Sequence, residues 1–254
     1  QRITTEYNTC FPEIVDHKNP LIEITNLYHP YIGKKAITNS IYLGNKRALN
    51  AIITGPNAGG KSTLIKSIGI ALFCAQTIGI SFADKLRFTP FTLLASYLNI
   101  PDCKGKESLF EAEMHRSLTH IENCKNLKDD EKSFIIMDEI FSSTNPNEGI
   151  SGAYAIAKKM ATFKKSVCII TTHFDKLTDL EKDNDTLFKN YKIPCSVDNN
   201  RNISYPYKLE EGISKQHIAL DLLESKGFDE DIIKEAKDIS KSLLTISQVP
   251  TAEE

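Results

Sequence analysis

Ala51-Ile52-Ile53-Thr54-Gly55-Pro56-Asn57-Ala58-Gly59-Gly60-Lys61-Ser62-Thr63 is an apolar run that breaks into glycines and resumes as a helix-like sequence over 64–79. The spacing Gly55-x-x-x-x-Gly60-Lys61-Ser62 is that of a P-loop. In such a loop successive backbone N–H groups and the N-terminus of the next helix face phosphates, and a lysine reaches their outer oxygens. Gly59 and Gly60 carry no Cβ, so backbone can come close to a ligand. The bland alternative is a βα turn that binds nothing, and the strand before and helix after the loop argue against it.

Two more buried-strand patterns follow. Phe134-Ile135-Ile136-Met137-Asp138-Glu139 is an apolar run ending in two acids, and Ser166-Val167-Cys168-Ile169-Ile170-Thr171-Thr172-His173 is one ending in a histidine. Runs of this kind fit strands covered on both faces in a parallel sheet. An aspartate at the end of such a strand, here Asp138, would hold Mg²⁺ together with the P-loop hydroxyl of Ser62. The next residue, Glu139, can orient and deprotonate an attacking water. His173, at the carboxyl end of its strand, is a candidate sensor of the γ-phosphate, because open α/β sheets place ligands there. Gln76, late in the helix after the P-loop, is a further candidate to report on a nucleotide, with an ordinary solvated glutamine as the alternative. A helix over 149–163 separates the two strands, giving a β-loop-α-β order and hence a mostly parallel sheet flanked by helices.

The chain has 254 residues, 41% hydrophobic and 25% charged, which is ordinary for a globular protein with a sizeable core. Lys+Arg total 31 against Asp+Glu 33, net charge -2, so no global basic field advertises nucleic acid or an anionic membrane. Six cysteines (Cys10, Cys74, Cys103, Cys124, Cys168, Cys195) are scattered without a C-x-x-C pair. That pattern fits free thiols in a reducing compartment, cytoplasm or nucleus. No run approaches a membrane span or a signal peptide. Because the chain begins at Gln1 it reads as a piece of a longer protein.

Four segments are expected. Residues 1–20 are a lead-in from an N-terminal region, with Pro12 and Pro20 and no sustained period. Their Phe11-Pro12-Glu13 is a Phe-x-Glu tripeptide of the sort that can read a base, too short to carry weight here. Residues 21–207 form the P-loop domain, with short strands and turns before residue 54, a strand over 92–98 and a helix over 109–121. The stretches 188–197 and 203–209, joined by the polar turn 198–202, read as an edge hairpin. Residues 208–244 form a helix-turn-helix broken at Gly227, and 245–254 a flexible tail. With six lysines against nine acids over 208–244, net -3, that helix pair is a poor match to phosphates and a better one to protein.

Taken together these residues resemble the ATPase domain of the MutS-type DNA mismatch-repair proteins, over roughly 27–244. The resemblance rests on Thr54-Gly55-Pro56-Asn57-x-Gly59-Gly60-Lys61-Ser62-Thr63, Ala75-Gln76-x-Ile78-Gly79, Ser108-Leu109-Phe110-x-x-Glu113-Met114, Met137-Asp138-Glu139-Ile140 and Thr171-Thr172-His173-Phe174. Leu27-Tyr28-His29-Pro30 and Asn39 stand where the family has its R-H-P and P-N-D elements.

The resemblance implies an ABC-like P-loop NTPase fold, ATP and Mg²⁺ as ligands, and Gly55 to Thr63 as the phosphate cradle. It also implies a homodimer or MutS-like heterodimer held partly by the helix-turn-helix. Double-stranded DNA would be gripped by domains outside this segment, with no membrane involved. In the family a loop after the acidic strand completes the partner's site in trans. Here that loop reads Phe141-Ser142-Ser143-Thr144-Asn145-Pro146-Asn147-Glu148-Gly149, with Thr144 kept and Asn145 in place of the family's serine. Asparagine can still donate to a phosphate. The Asn-Pro and Glu-Gly pairs are similar to the loop of the recombination-suppressing MutS branch, so the subfamily stays open. The family's adenine-stacking aromatic near Asn39 is replaced by Ala36 and Ile37, and Tyr207 is the expected substitute. Two functions remain: a dimeric ATPase driving a DNA clamp, and a nucleotide-dependent assembly module with little turnover. An ABC transporter ATPase is disfavoured, since no L-S-G-G-Q signature is present.

Overall fold

A computed structural model describes residues 8–98, 108–198, 203–214 and 218–246. Residues 1–7, Cys103, the turn residues 199–202 and the tail beyond Ile246 lie outside the described residues. In chain order the strands are β1 (Glu13–Ile14), β2 (Leu21–Leu27), β3 (Asn39–Gly44), β4 (Asn50–Thr54), β5 (Lys85–Phe88), β6 (Leu93–Tyr97), β7 (Ser133–Asp138), β8 (Ser166–Thr172), β9 (Phe188–Lys192), β10 (Ser196–Val197), β11 (Ile203–Ser204) and β12 (Glu210–Glu211). The helices are α1 (Lys61–Thr77), α2 (Leu109–Lys125), α3 (Pro146–Met160), α4 (Asp179–Asp183), α5 (Ala219–Ser225) and α6 (Glu230–Ile246).

The P-loop strand β4 sits inside a six-stranded sheet of order β12-β9-β4-β8-β7-β6, parallel except for β12. Every residue of β4 and β8 is buried, which explains why both read as unbroken apolar runs rather than as alternation. Period-2 geometry sends Ile53, Ile136 and Ile169 to one face, where they meet Ile65, Ile68 and Leu72 of α1. Ile52, Ile135 and Ile170 point to the other, against Ala153, Ala157 and Met160 of α3. A second, four-stranded sheet of order β1-β5-β2-β3 lays Ile22, Ile24, Ile41 and Leu43 into the α1 core. The mostly parallel α/β architecture expected from the sequence is therefore present.

Two expectations need adjustment. β9 does not belong to an edge hairpin but runs parallel to β4 in the sheet interior, with Phe188, Asn190 and Tyr191 buried. The hairpin that does form is the short pair β10–β11, and the edge is closed by β12, antiparallel to β9. Helix α3 begins at Pro146 instead of Gly149, because Asn145 caps it and Pro146 occupies the first turn, where its missing N–H costs nothing. The expected helix pair is present as α5 and α6, tied by Lys237 Nζ to Glu224 at 2.9 Å. Cys10, Cys74, Cys124 and Cys168 are free thiols. Among the described residues no helix is long and apolar enough to cross a membrane.

Candidate active site

The sheet order explains how residues far apart in sequence meet. β8 lies between β4 and β7, with Thr54 paired to Thr172 and Asp138 to Thr171, so all three strands end at the same level. Lys61 follows β4, Glu139 follows β7 and His173 follows β8, and the three side chains converge. Glu139 Oε1 is 2.7 Å from His173 Nε2 and 3.6 Å from Lys61 Nζ, and Lys61 Nζ is 3.2 Å from His173 Nε2.

Lys61 is only 4% exposed and donates to the carbonyls of Gly55 at 2.9 Å and Pro56 at 3.2 Å. Burial pulls its ammonium below the ordinary lysine range, and Glu139 and Asp138 oppose that shift. The bond from His173 holds the Glu139 carboxyl below the usual carboxylate range, opposed by burial and helped by Lys61. Glu139 is thus kept ionised beside a buried cation, the state a general base needs.

The loop itself is shaped for close approach. Gly59 N donates to Pro56 O at 3.1 Å, closing a tight turn. Ala58 and Gly60 lie in the left-handed region, φ 64° and 93°, and Gly60 opens α1 as its N-cap. Above the loop is a cavity of about 510 Å³, within the usual range for a small-molecule site. Its floor is Pro56 to Ala58 and Gly60 to Thr63, with Glu139 at one side and Tyr207 at another. Tyr207 lies on Gly60: a Cβ added there would stand 3.1 Å from the tyrosine Cδ1.

The structure reveals a second wall. Sequence reasoning treats 27–39 as strands, turns and family landmarks, yet Tyr28, His29, Ile32, Ala36, Ile37 and Asn39 line the cavity together with the P-loop. Asn39, buried, spends its side chain on distant backbone, donating to Tyr207 O at 3.0 Å and accepting from Leu209 N at 2.7 Å. This clamp fixes Tyr207, itself at φ 54°, over the loop. The Leu27-Tyr28-His29-Pro30 run between two strand patterns is the signal that could have marked this wall.

The remaining candidates sort as follows. Asp138 accepts from the Thr171 hydroxyl, which in turn accepts from Glu139 N at 3.2 Å. Ser62 lines the cavity in the first turn of α1. A hydroxyl and a carboxylate are hard oxygen donors, a set that fits Mg²⁺, which keeps several waters and shares phosphate oxygens. Among the described residues no cluster of three or more His, Cys, Asp or Glu could cage a different metal.

Gln76 is a correction. Its amide donates to Phe91 O at 3.0 Å and accepts from Phe91 N at 2.7 Å, at the far end of α1, about 22 Å from the loop by helical rise. It anchors a neighbouring segment and does not reach the cavity. Thr144 and Asn145 do not line this chain's own cavity either. Asn145 is exposed, its side-chain oxygen accepting from Asn147 N at 3.0 Å and its carbonyl from Gly149 N at 2.8 Å.

A family model for MutS domain V matches residues 51–244. The chain is 30% identical, over 94% of its length, to DNA mismatch repair protein MutS of Persephonella marina, and covers 27% of that protein. It is 29% identical over 91% of its length to MutS of Finegoldia magna, and 27% identical over 92% to DNA mismatch repair protein MSH2 of Arabidopsis thaliana, covering 26% of each. It spans about a quarter of the length of the curated relatives it matches. The match begins at the P-loop strand and runs into α6: the chain belongs to the MutS family and carries its domain V.

Proposed function

We propose that this chain is an Mg²⁺-dependent ATPase domain that works as a dimer and drives conformational change in a longer DNA mismatch-repair or DNA-structure-recognising protein. The observation that carries the reading is the convergence of Lys61, Glu139 and His173, the first two of which line a cavity together with the P-loop residues 56–58 and 60–63. Backbone N–H groups of 57–62 cradle the phosphates, and Lys61 leaves the Gly55 and Pro56 carbonyls to meet them. Ser62 and Asp138 would hold Mg²⁺, which would supply positive charge against the phosphates. Glu139, released from Lys61, takes a proton from water, and His173 senses the terminal phosphate. Tyr207 supplies an aromatic face to the base. Thr144 and Asn145, turned away from their own cavity, serve the partner's site. Residues 21–207 are the catalytic unit and 208–244 the dimerisation element. The setting is intracellular, and double-stranded DNA is bound by other parts of the longer protein.

A second reading, an assembly module with little turnover, is favoured by one observation: the Asn145 side-chain oxygen is already spent on capping α3. Lys61→Met and Glu139→Gln separate the two. The ATPase reading expects Lys61→Met to lose ATP binding, and Glu139→Gln to keep binding while losing hydrolysis. Wild-type chain that binds ATP without hydrolysing it at any concentration supports the assembly module.

A further inference from the structure

The connection leaving β7 is bent by side chains that lie outside the cavity. Glu139 and Phe141 both occupy the left-handed region, φ 53° and 57°. Two non-glycine residues in that region within three positions persist only where their surroundings over-determine them. Phe141 N donates to the Tyr97 hydroxyl at 3.3 Å, and the Ser143 hydroxyl donates to Glu113 Oε2 at 2.7 Å. Tyr97, at the end of β6, lies against the same Glu113 carboxyl, and burial together with that carboxyl raises its phenol above the ordinary range. The Phe141 ring meets Phe110 of α2 edge-on, centroids 5.4 Å apart, and sits over Gly152 of α3, where a Cβ would stand 2.7 Å from its Cδ2.

Glu113 is 4% exposed and does not line the cavity, so contact with a nucleotide there does not account for it. A carboxyl at that depth is costly without hydrogen bonds. Here those bonds go to the connector and to the tyrosine that grips it. One end of the connector bears Glu139 and the other bears Thr144 and Asn145.

We propose that Glu113, acting with Tyr97, is a positioning residue for hydrolysis, fixing 139–145 so that Glu139 faces Lys61 and His173 while Thr144 and Asn145 are presented to a partner protomer. The proposal rests on the ATPase reading of the site. A merely structural role would lower stability and nucleotide affinity together. A positioning role separates binding from chemistry, since a small displacement of a base costs rate and leaves the phosphate cradle intact.

The test is single-turnover hydrolysis and equilibrium ATP binding on the full chain, comparing wild type with Ser143→Ala, Tyr97→Phe, Glu113→Gln and the Glu113→Gln/Ser143→Ala double variant. Each single change is expected to slow hydrolysis about tenfold or more with ATP affinity within about twofold. The double variant should be no slower than the slower single, because both act through one contact. Rate and affinity falling by the same factor, or single effects that multiply, overturn the proposal. Should Glu113→Gln fail to fold, Ser143→Ala, which removes only an exposed residue's hydroxyl, and Tyr97→Phe decide the matter on the same criteria. Wild type that turns over with all variants equal to it overturns the proposal alone. Wild type that binds ATP without turnover overturns the ATPase reading and the proposal with it.

Discussion

Glu139 stands in a left-handed backbone conformation, and its carboxyl is held low chiefly by His173. A folded-state pKa below the unfolded one contributes stability at pH above the unfolded value, and that contribution fades as pH falls through the lowered one. Wild type should therefore gain stability over Glu139→Gln as pH rises from about 3 to about 6, read as a widening gap in thermal midpoint. A gap that stays constant across the window would show that the contact contributes nothing. At the cavity's other side Tyr207→Ala should weaken ATP binding about tenfold, since a base stacked on an aromatic ring is worth ~1–3 kcal/mol. Unchanged affinity would remove Tyr207 from the site. Lys61, Asp138 and Glu139 are legible in sequence because their geometry is local: Lys61 opens the helix after the P-loop, Asp138 ends β7 and Glu139 directly follows it. Gln76 is not, since its fate is decided by the backbone of Phe91. Asn39 is not either, since it acts on Tyr207 and Leu209 from the opposite end of the chain.

At the scale of elements, the three strands that build the site are written plainly in runs of buried residues. The neighbour on the other side of β4 is not. β9 reads Phe188-Lys189-Asn190-Tyr191-Lys192, whose polar residues look like an edge until their partners are seen: Asn190 Nδ2 donates to Thr178 O at 2.8 Å, and Lys189 pairs with Glu181 at 3.3 Å. Pairing partners are tertiary facts, and hydrophobic alternation alone does not carry them. Asn50 is the counterpart at the start of β4. Fully buried, it accepts from Cys168 N at 2.9 Å and donates to Leu187 O at 3.0 Å, stitching β4 to the strands on both sides. Asn50→Ala leaves the buried Cys168 N–H unpaired, while Leu187 O keeps its bond from Asn50 N, and should cost about 1–3 kcal/mol in denaturant unfolding. A loss under about 0.5 kcal/mol, the level of a neutral surface change, would deny it that role.

At the scale of the whole molecule, the amphipathic spacing of 218–243 makes the helix pair readable. On α6 Ile233 is buried, whereas Ile232 and Ile239, seven residues apart and so on one face, are about half exposed. If that face joins two protomers, Ile232→Glu with Ile239→Glu should weaken self-association about tenfold or more in sedimentation, with an unchanged monomer fold. Unaltered association would move the interface elsewhere. The central claim is that Lys61, Glu139 and His173 make half of a hydrolytic site that a second protomer completes. Single-turnover ATP hydrolysis at saturating nucleotide, followed over a dilution series of the chain, tests it most directly. The account predicts that the rate per site falls as the protein is diluted through its dimerisation range, and that Glu139→Gln shows bound ATP without hydrolysis at every concentration. A rate per site independent of concentration, or one that survives Glu139→Gln, would contradict it.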